Sequence, residues 1–319
     1  MLSFILQRLV QAVPVVLLST VAVFTLMRLI PGDPAQILAG PDATPESIAA
    51  IRTDMGLDQP LPVQYVFWLS HVAQGDLGKS VLSKMPVATV MAQRIPATLE
   101  LALAAVVLTL LIAVPTGIIA AVRTDGIVDW LITSLNGVAI AVPGFWLGIL
   151  GIIVFALVLG WLPPGGRGDW GRDPVQEFKF LLMPAFTLAI GSAASLSRLV
   201  KSSMIEVLYD DYVRTARAKG LSEQLVIVRH ALRNALVPVI TVMGLQFGRL
   251  LGGAVITESV FAWPGLGRLI LDAIGNRDYL VVQAALLALV LIYITVNLLT
   301  DLAYGLIDPR IRVGQAAAN

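Results

Sequence analysis

One short stretch of the sequence resembles a nucleotide-binding motif. Residues 73–80, AQGDLGKS, fit the phosphate-loop pattern with Ala73 in place of the first glycine. In such a loop the backbone amides surround the phosphates, and a lysine, here Lys79, binds them. A phosphate loop follows a buried strand, whereas the preceding QYVFWLSHV is typical of an amphipathic helix, and no apolar strand ending in an acid follows. We therefore expect no nucleotide site here.

The composition excludes most other catalytic chemistry. The chain has no cysteine, so thiol nucleophiles, disulfides and cysteine-ligated metals are absent. Its two histidines, His71 and His230, are too few for a histidine-based metal cluster, and we expect His230 to be solvated or part of a docking surface. Arg167-Gly168-Asp169 is interpreted as a chance tripeptide in a loop. We expect no catalytic residue, no metal and no cofactor.

The overall composition is that of a membrane protein. Hydrophobic residues make up 57% of the 319 residues and charged residues only 13%, compared with about 25% charged residues in soluble domains. The mean hydropathy is +0.84. A net charge of +1 gives no reason to expect nucleic acid as a partner. We predict an all-α polytopic membrane protein.

Apolar runs predict six transmembrane helices within a single transmembrane domain, 1–319. Each run is long enough to cross a hydrocarbon core of about 30 Å at about 1.5 Å per residue. The first follows Arg8 and is interpreted as a retained anchor, because it is longer than a signal-peptide core. The predicted spans are 9–30, 97–122, 130–159, 181–200, 235–260 and 281–305.

Between the first two spans lies a polar excursion, residues 31–95. Thr44 and Pro45 predict a helix start and Met55-Gly56 its stop; further short helices are expected at 63–73 and 87–94. These helices are too short to span, which predicts a small helical extracytoplasmic cap. A second loop is expected at 160–179. The density of Lys and Arg over 198–233 places that segment in the cytosol, with both termini inside.

The charged segment Glu206–Pro238 interrupts the apolar runs. Its pattern predicts a helix, a glycine break and a second helix, with Asp210 and Asp211 spaced to pair with Arg214 and Ser222 and Glu223 starting the second helix. We interpret residues 201–234 as a docking region for a cytosolic partner. The candidate contact residues are Asp210, Asp211, Arg214, Ala216, Lys219, Gly220, Ser222 and Glu223.

The fifth span carries two further features. Gly244, Gly248 and Gly252 recur every four residues and predict a close helix contact, within this chain or against a partner or moving helix. Arg249 lies near the middle of the span, Glu258 toward its outer end, and Asp301 in the sixth span. A charge at that depth costs at least about 2.5–3.5 kcal/mol, so it must face protein or water. Either an interhelical ion pair or a place on a substrate path satisfies this requirement.

Several segments resemble the permease subunits of bacterial peptide-type ABC importers. In order along nearly the whole chain they are LIPGDP (29–34), GLDQPL (56–61), QGDLGKS (74–80), PATLELAL (96–103), DYVRTARAKG (211–220), RHALRNALVPV (229–239), GLQFGRLLGGAVITE (244–258), VFAWPGLGRL (260–269) and DPRIR (308–312). The wider family has a Glu-Ala-Ala…Gly loop in the cytosol. Here Arg214-Thr215-Ala216 takes its place, with Gly220 at the matching distance, and the glutamate is absent.

The resemblance implies a type I importer permease in the inner membrane with no nucleotide site of its own. It implies a homologous second permease, two ABC ATPase subunits that bind the 201–234 region, and a periplasmic or lipid-anchored substrate-binding protein. The implied substrates are di- or oligopeptides, with glutathione or nickel as alternatives on the same architecture. Membrane lipid surrounds the chain, and nucleic acid is not expected as a partner.

Two other classes of function remain as alternatives. An ion-driven secondary transporter is disfavoured by the lack of an inverted repeat and by the few membrane carboxylates. A membrane scaffold without transport activity has no need for Arg249 inside the bilayer.

Overall fold

The chain is described by a computed structural model that covers residues 2–29, 33–40 and 42–307, without the side chains of 2–5, 7, 38, 301 and 303–307. The match at 308–312 lies outside the described residues. Every regular element of the described part is a helix. Its helices are α1 (Leu2–Leu29), α2 (Pro34–Ala39), α3 (Pro45–Asp54), α4 (Leu61–Ala73), α5 (Val87–Val122), α6 (Ile127–Ala141), α7 (Gly144–Gly151), α8 (Pro174–Leu208), α9 (Asp211–Ala218), α10 (Glu223–Leu225), α11 (Leu232–Val260), α12 (Leu266–Gly275) and α13 (Tyr279–Ile307). Two π-helical segments, Ile152–Val158 and Val226–Ala231, continue α7 and α10.

The predicted set of spans is present with one broken member. Five helical stretches are long and apolar enough to cross a membrane: Arg8–Leu29, Val87–Val122, Pro174–Leu208, Glu223–Val260 and Tyr279–Thr300. The predicted span 130–159 is broken, because Ile127–Ala141 and Gly144–Val158 meet at 99°. Proline has a fixed φ and disfavours a helical residue before it, and Val142 is accordingly extended, with φ −84° and ψ 128°. Counting the bent pair as one span gives six.

Contacts within the chain divide it into two compact units, residues 1–98 with 264–295 and residues 99–263 with 296–319. The single transmembrane domain stays a prediction. In the first unit, Thr44 caps α3 by accepting a hydrogen bond from the Ser47 amide at 3.3 Å, as expected. The separate short helix expected at 87–94 is wrong, because these residues form the first turns of the 36-residue helix α5. The sequence interpretation also missed the amphipathic helix α12.

The QGDLGKS motif has a structural role in the first unit. Gly78 has a φ of +77°, which glycine adopts without strain, and the chain then turns back in a bridge between Lys79 and Pro86. Ser80 Oγ donates a 2.6 Å hydrogen bond to Asp278 Oδ2, and the Leu82 amide donates to the same oxygen at 3.3 Å. The motif therefore fastens a turn to the start of α13 rather than forming a phosphate loop.

The second unit contains the charged segment. Its largest core joins α5, α8 and α11 through small and branched side chains, including Ala113, Leu196, Val200, Met204 and Val239. Pro184 and Pro238 lie inside α8 and α11 without breaking them. Close to the end of α5, Lys201 Nζ approaches Asp129 Oδ1 at 2.5 Å and links α8 to the start of α6.

Candidate functional site

The predicted helix–glycine–helix is present between α8 and α11. α8 ends at Leu208, α9 covers Asp211–Ala218, and the chain turns at Gly220, whose φ is +80°. The Gly220 amide donates to the Arg217 carbonyl at 2.9 Å. From Glu223 the chain stays helical to Val260 through a π-helical segment, over 38 residues. The charged segment is therefore joined to α11 without a flexible linker.

A pair of charges closes this turn. Arg217 donates two hydrogen bonds to Glu223, at 3.1 and 2.7 Å, and a third to the Leu208 carbonyl at 3.3 Å. The bond to Glu223 raises the pKa of the Arg217 guanidinium. The sequence interpretation missed Arg217 because it lies six residues from its partner, outside the helical spacing used to find pairs. Arg214 instead approaches Asp211 at 3.5 Å, and both side chains are highly exposed.

The candidate contact residues separate into exposed and buried positions. Ala216 is only 6% exposed and packs with Val213 and Val226 in a small core. This core packs α9 against the start of the helical stretch that leads into α11. Asp210 and Ser222 occupy the N-cap positions of α9 and α10 but make no side-chain cap bonds. Seven of the eight are exposed: Asp210, Asp211, Arg214, Lys219, Gly220, Ser222 and Glu223.

The same surface contains a cavity and is supported by further polar contacts. A cavity of about 640 Å³ beside α9 is bordered by Thr124, Tyr209, Arg214, Arg217 and Glu223, among others. On the opposite side of the turn, Tyr212 accepts a 2.7 Å hydrogen bond from Asn234 and contacts the His230 carbonyl at 3.4 Å. His230 is half-buried, and its backbone carbonyl makes this contact; its membership of a docking surface stays a prediction.

A second cavity, of about 430 Å³, lies where the third span is broken. It is bordered by the end of α6 and the start of α7, by α8 and by α11. Polar side chains on its wall are Thr187, Ser192, Ser195, Gln246, Arg249 and Thr257.

Arg249 and Glu258 occupy very different environments. Arg249 is exposed on the cavity wall, and no described carboxylate lies within ion-pair distance of it. Glu258 is fully buried. Nine residues along one helix separate the two by about 13 Å, so they do not pair with each other. Of the two interpretations left open for Arg249, its position favours the path over an ion pair among the described side chains.

The three glycines of α11 do not act as one seam within the chain. A methyl group on Gly244 would overlap the side chain of Thr300 on α13. Gly248 is half-buried, and Gly252 is exposed with nothing within 4 Å of an added Cβ. Packing among the described residues therefore explains Gly244 but not Gly252.

The tripeptide at 167–169 forms a charged cluster that the sequence interpretation dismissed. Arg167 donates to Glu100 Oε2 at 2.9 and 2.6 Å, and its Nε lies 3.7 Å from the fully buried Glu177. Gly168 allows this approach, since a Cβ there would come within 2.7 Å of Glu177 Oε2. Arg167 also lies over the Trp263 ring, 5.9 Å from its centre. The Gly-rich sequence around Arg167 does not indicate that this residue pairs with the distant Glu100.

Two family models together match almost the whole sequence. The binding-protein-dependent transport system inner membrane component model matches residues 113–313, and its N-terminal counterpart matches residues 1–102. The chain is 43% identical to a probable peptide ABC transporter permease protein of Sinorhizobium fredii, over 97% of this chain and 99% of that one. It is 44% identical to the glutathione transport system permease protein GsiC of Salmonella typhimurium, over 98% and 99%.

A solved structure supports the fold. Part of the chain superposes on a chain of the methionine ABC transporter MetNI in an inward-facing conformation, with a TM-score of 0.57. The match has 17% sequence identity and covers 69% of this chain and 96% of that one. At that identity the match bears on the fold alone, and it agrees with a type I importer permease. The chain belongs to the family of binding-protein-dependent transport system inner membrane components, the polytopic permease subunits of ABC importers.

Proposed function

We propose that this chain forms one half of the membrane pathway of an ATP-driven importer of di- or oligopeptides. The Sinorhizobium relative is named as a peptide permease and the Salmonella relative as a glutathione permease. A second permease forms the other half, and two ATPase subunits supply the energy. A substrate-binding protein delivers the peptide from outside. Both termini lie in the cytosol, and residues 31–95 form the extracytoplasmic cap.

One observation supports this proposal most directly: an exposed charged helix is rigidly joined to a span that borders a cavity. α9 presents Asp211 and Arg214 to solvent, while Val213 and Ala216 fix it to its own chain. The helical stretch from Glu223 leads to Arg249 on the cavity wall. An ATPase that moves α9 therefore moves the wall of the path. Such coupling requires that the ATPase contact α9 differently in its two states.

The charge of α9 sets the chemistry of the contact. Arg214 lies where the wider family has an acid, so the ATPase groove that receives it should carry carboxylates there. Asp210 and Asp211 then face basic or amide groups. We assign the ATPase contact to Asp210–Gln224 and the arm that transmits its motion to 225–238.

Cross-linking tests the docking assignment, and the absence of cysteine in the natural chain makes it straightforward. The complex is purified with the Asp211→Cys variant and a single cysteine placed in the ATPase groove. We expect a disulfide-linked pair whose yield changes when ATP binds. Leu245→Cys, on the exposed apolar face of α11, is the matched control and should not link. Equal linking from both positions contradicts the assignment.

Reconstitution tests the transport class. Proteoliposomes that contain the chain with its second permease and ATPases should take up labelled peptide only with ATP and the loaded binding protein. Uptake by the isolated chain under a proton gradient would instead establish the secondary transporter. No uptake with either energy source would favour a scaffold.

A further inference from the structure

We infer that Arg249 binds the carboxylate of the substrate during passage, which makes the path selective for peptides with a free carboxyl group and against cations. This inference rests on the proposed transport function and names the chemistry of its path.

The position of Arg249 is the first step. It lies 11 residues before Val260, the last residue of α11, which is about 16 Å along the helix. That distance is about half of a hydrocarbon core of about 30 Å. An arginine at this depth must face water or a polar partner, because its exposure to lipid is costly. The cavity that it borders meets this requirement.

The lack of a counter-ion among the described side chains is the second step. The described acids of α11 and α8 are Glu258, which is fully buried, Glu177, which lies beside Arg167, and Glu206, which is exposed near the end of α8. No described carboxylate pairs with Arg249. A guanidinium that is held in a cavity without a counter-ion attracts an anion, and its planar fork matches a carboxylate through two hydrogen bonds.

The rest of the cavity suits the remainder of a peptide. Ser192 and Thr187 offer hydroxyl groups that can donate or accept hydrogen bonds, and Gln246 offers an amide. Ser195 Oγ, which donates to the Gly191 carbonyl at 3.1 Å, can still accept. The first turn of α7, at Gly144 and Phe145, borders the same space. Its partial positive charge adds to that of Arg249, as at other broken membrane helices that face anionic substrate groups.

This chemistry distinguishes between the substrates that the family resemblance left open. A dipeptide, an oligopeptide and glutathione each carry a carboxylate that Arg249 can pair with. A bare divalent cation such as Ni²⁺ would meet the fixed positive charge of Arg249 in this cavity, with no carboxylate among the described wall residues to offset it. The path is therefore built for carboxylates rather than for metal cations.

The test compares two forms of one peptide in the reconstituted complex, the free acid and the C-terminal amide. Each is supplied at a concentration that saturates the binding protein in a separate titration. Uptake is measured for the wild type and for the Arg249→Gln and Arg249→Lys variants, together with ATP hydrolysis stimulated by the loaded binding protein. Because the binding protein is common to all samples, the ratio of acid to amide uptake isolates the membrane path.

We expect Arg249→Gln to lower uptake of the acid about ten- to hundredfold, the factor for a charge-assisted hydrogen bond, with little change for the amide. Arg249→Lys should keep most of the preference, and Leu245→Ala, on the exposed face of α11, should keep all of it. Retained ATP hydrolysis shows that the variants are assembled.

Two outcomes overturn the inference while the transport proposal stands. One is unchanged uptake of both peptides in Arg249→Gln; the other is an equal loss of uptake for both peptides, which would indicate that Arg249 pairs with a partner subunit. If the wild-type complex takes up neither peptide with ATP, the proposed function fails and the inference fails with it.

Discussion

Arg217 and Glu223 form a bidentate ion pair across the turn at Gly220, with hydrogen bonds of 3.1 and 2.7 Å between guanidinium and carboxylate. The pair joins the last turn of α9 to the first turn of the helical stretch that leads into α11. Exposed ion pairs contribute little to stability, and bidentate geometry is the favourable case. The ion pair acts here through its geometry, because it fixes the angle between α9 and the helical stretch that leads into α11.

The turn depends on a left-handed residue at Gly220. We predict that Gly220→Val strains the backbone by about 1–2 kcal/mol, tilts α9 and lowers the ratio of peptide uptake to ATP hydrolysed. An added Cβ meets nothing within 4 Å, so the effect comes from backbone conformation and not from a clash. Gly220→Asn is the control, since asparagine tolerates this region. Equal coupling in the Val and Asn variants would contradict the prediction.

The small core beneath α9 leaves no room for a charge. Ala216→Glu places a carboxylate against Val213 and Val226, which costs several kcal/mol unless α9 detaches. We predict that the complex loses uptake while its ATPases continue to hydrolyse ATP. Ala216→Ser adds one atom and should behave nearly as the wild type. A wild-type ratio of uptake to hydrolysis in Ala216→Glu would contradict the docking assignment.

The Glu100–Arg167–Glu177 cluster should be a strong determinant of stability. Arg167→Gln leaves Glu177 fully buried beside no cation, and we predict a loss of about 3–5 kcal/mol in the free energy of unfolding. The measurement is thermal unfolding of the purified chain in detergent. The double variant Arg167→Gln with Glu177→Gln should recover part of the loss, because the fully buried charge is then gone while Glu100, whose side chain is 15% exposed, still lacks its cation. Strictly additive effects of the two substitutions would show that the residues are not coupled.

Asp278 accepts several hydrogen bonds at the start of α13. Its carboxylate accepts bonds from Ser80, from the Leu82 amide and from the Val281 amide at 3.4 Å. We predict that Asp278→Ala lowers the unfolding free energy by about 2–3 kcal/mol, because buried donors lose their acceptor. Asp278→Asn keeps one carbonyl oxygen and should lose less. If Ala and Asn unfold at the same temperature, the hydrogen bonds are not the cause.

The glycines of α11 should respond differently to a methyl group. Gly244→Ala pushes against Thr300, and we predict a destabilisation of about 1–3 kcal/mol, the usual cost of overpacking. Gly252→Ala has open space and should leave the isolated chain unchanged. Its effect on co-purification with the second permease then reports whether this position packs against a partner. Equal destabilisation of the isolated chain by both variants would contradict the assignment.

The helices of this chain could largely be predicted from its sequence, because long apolar runs and the cap at Thr44 are local signals. The break at Pro143 was harder to predict, because Pro184 and Pro238 lie inside helices that continue through them. Only the extended backbone of Val142, seen in the structure, marks the bend. The helix, glycine turn and second helix of the charged segment were also predictable, because its charges and Gly220 are contiguous in sequence; its use for docking stays a prediction. The role of Arg167 was not, since its partners Glu100 and Glu177 are 67 and 10 positions away.

The π-helical segment Val226–Ala231 has a consequence for how α9 drives the wall of the cavity. A π-helical turn holds about one residue more than an α-helical turn. If the segment tightened into regular α-helix, the helix beyond it would turn by about 100° and advance by about 1.5 Å, the twist and rise of one residue. Such a change would rotate Arg249 about the axis of α11 without tilting the span through the bilayer.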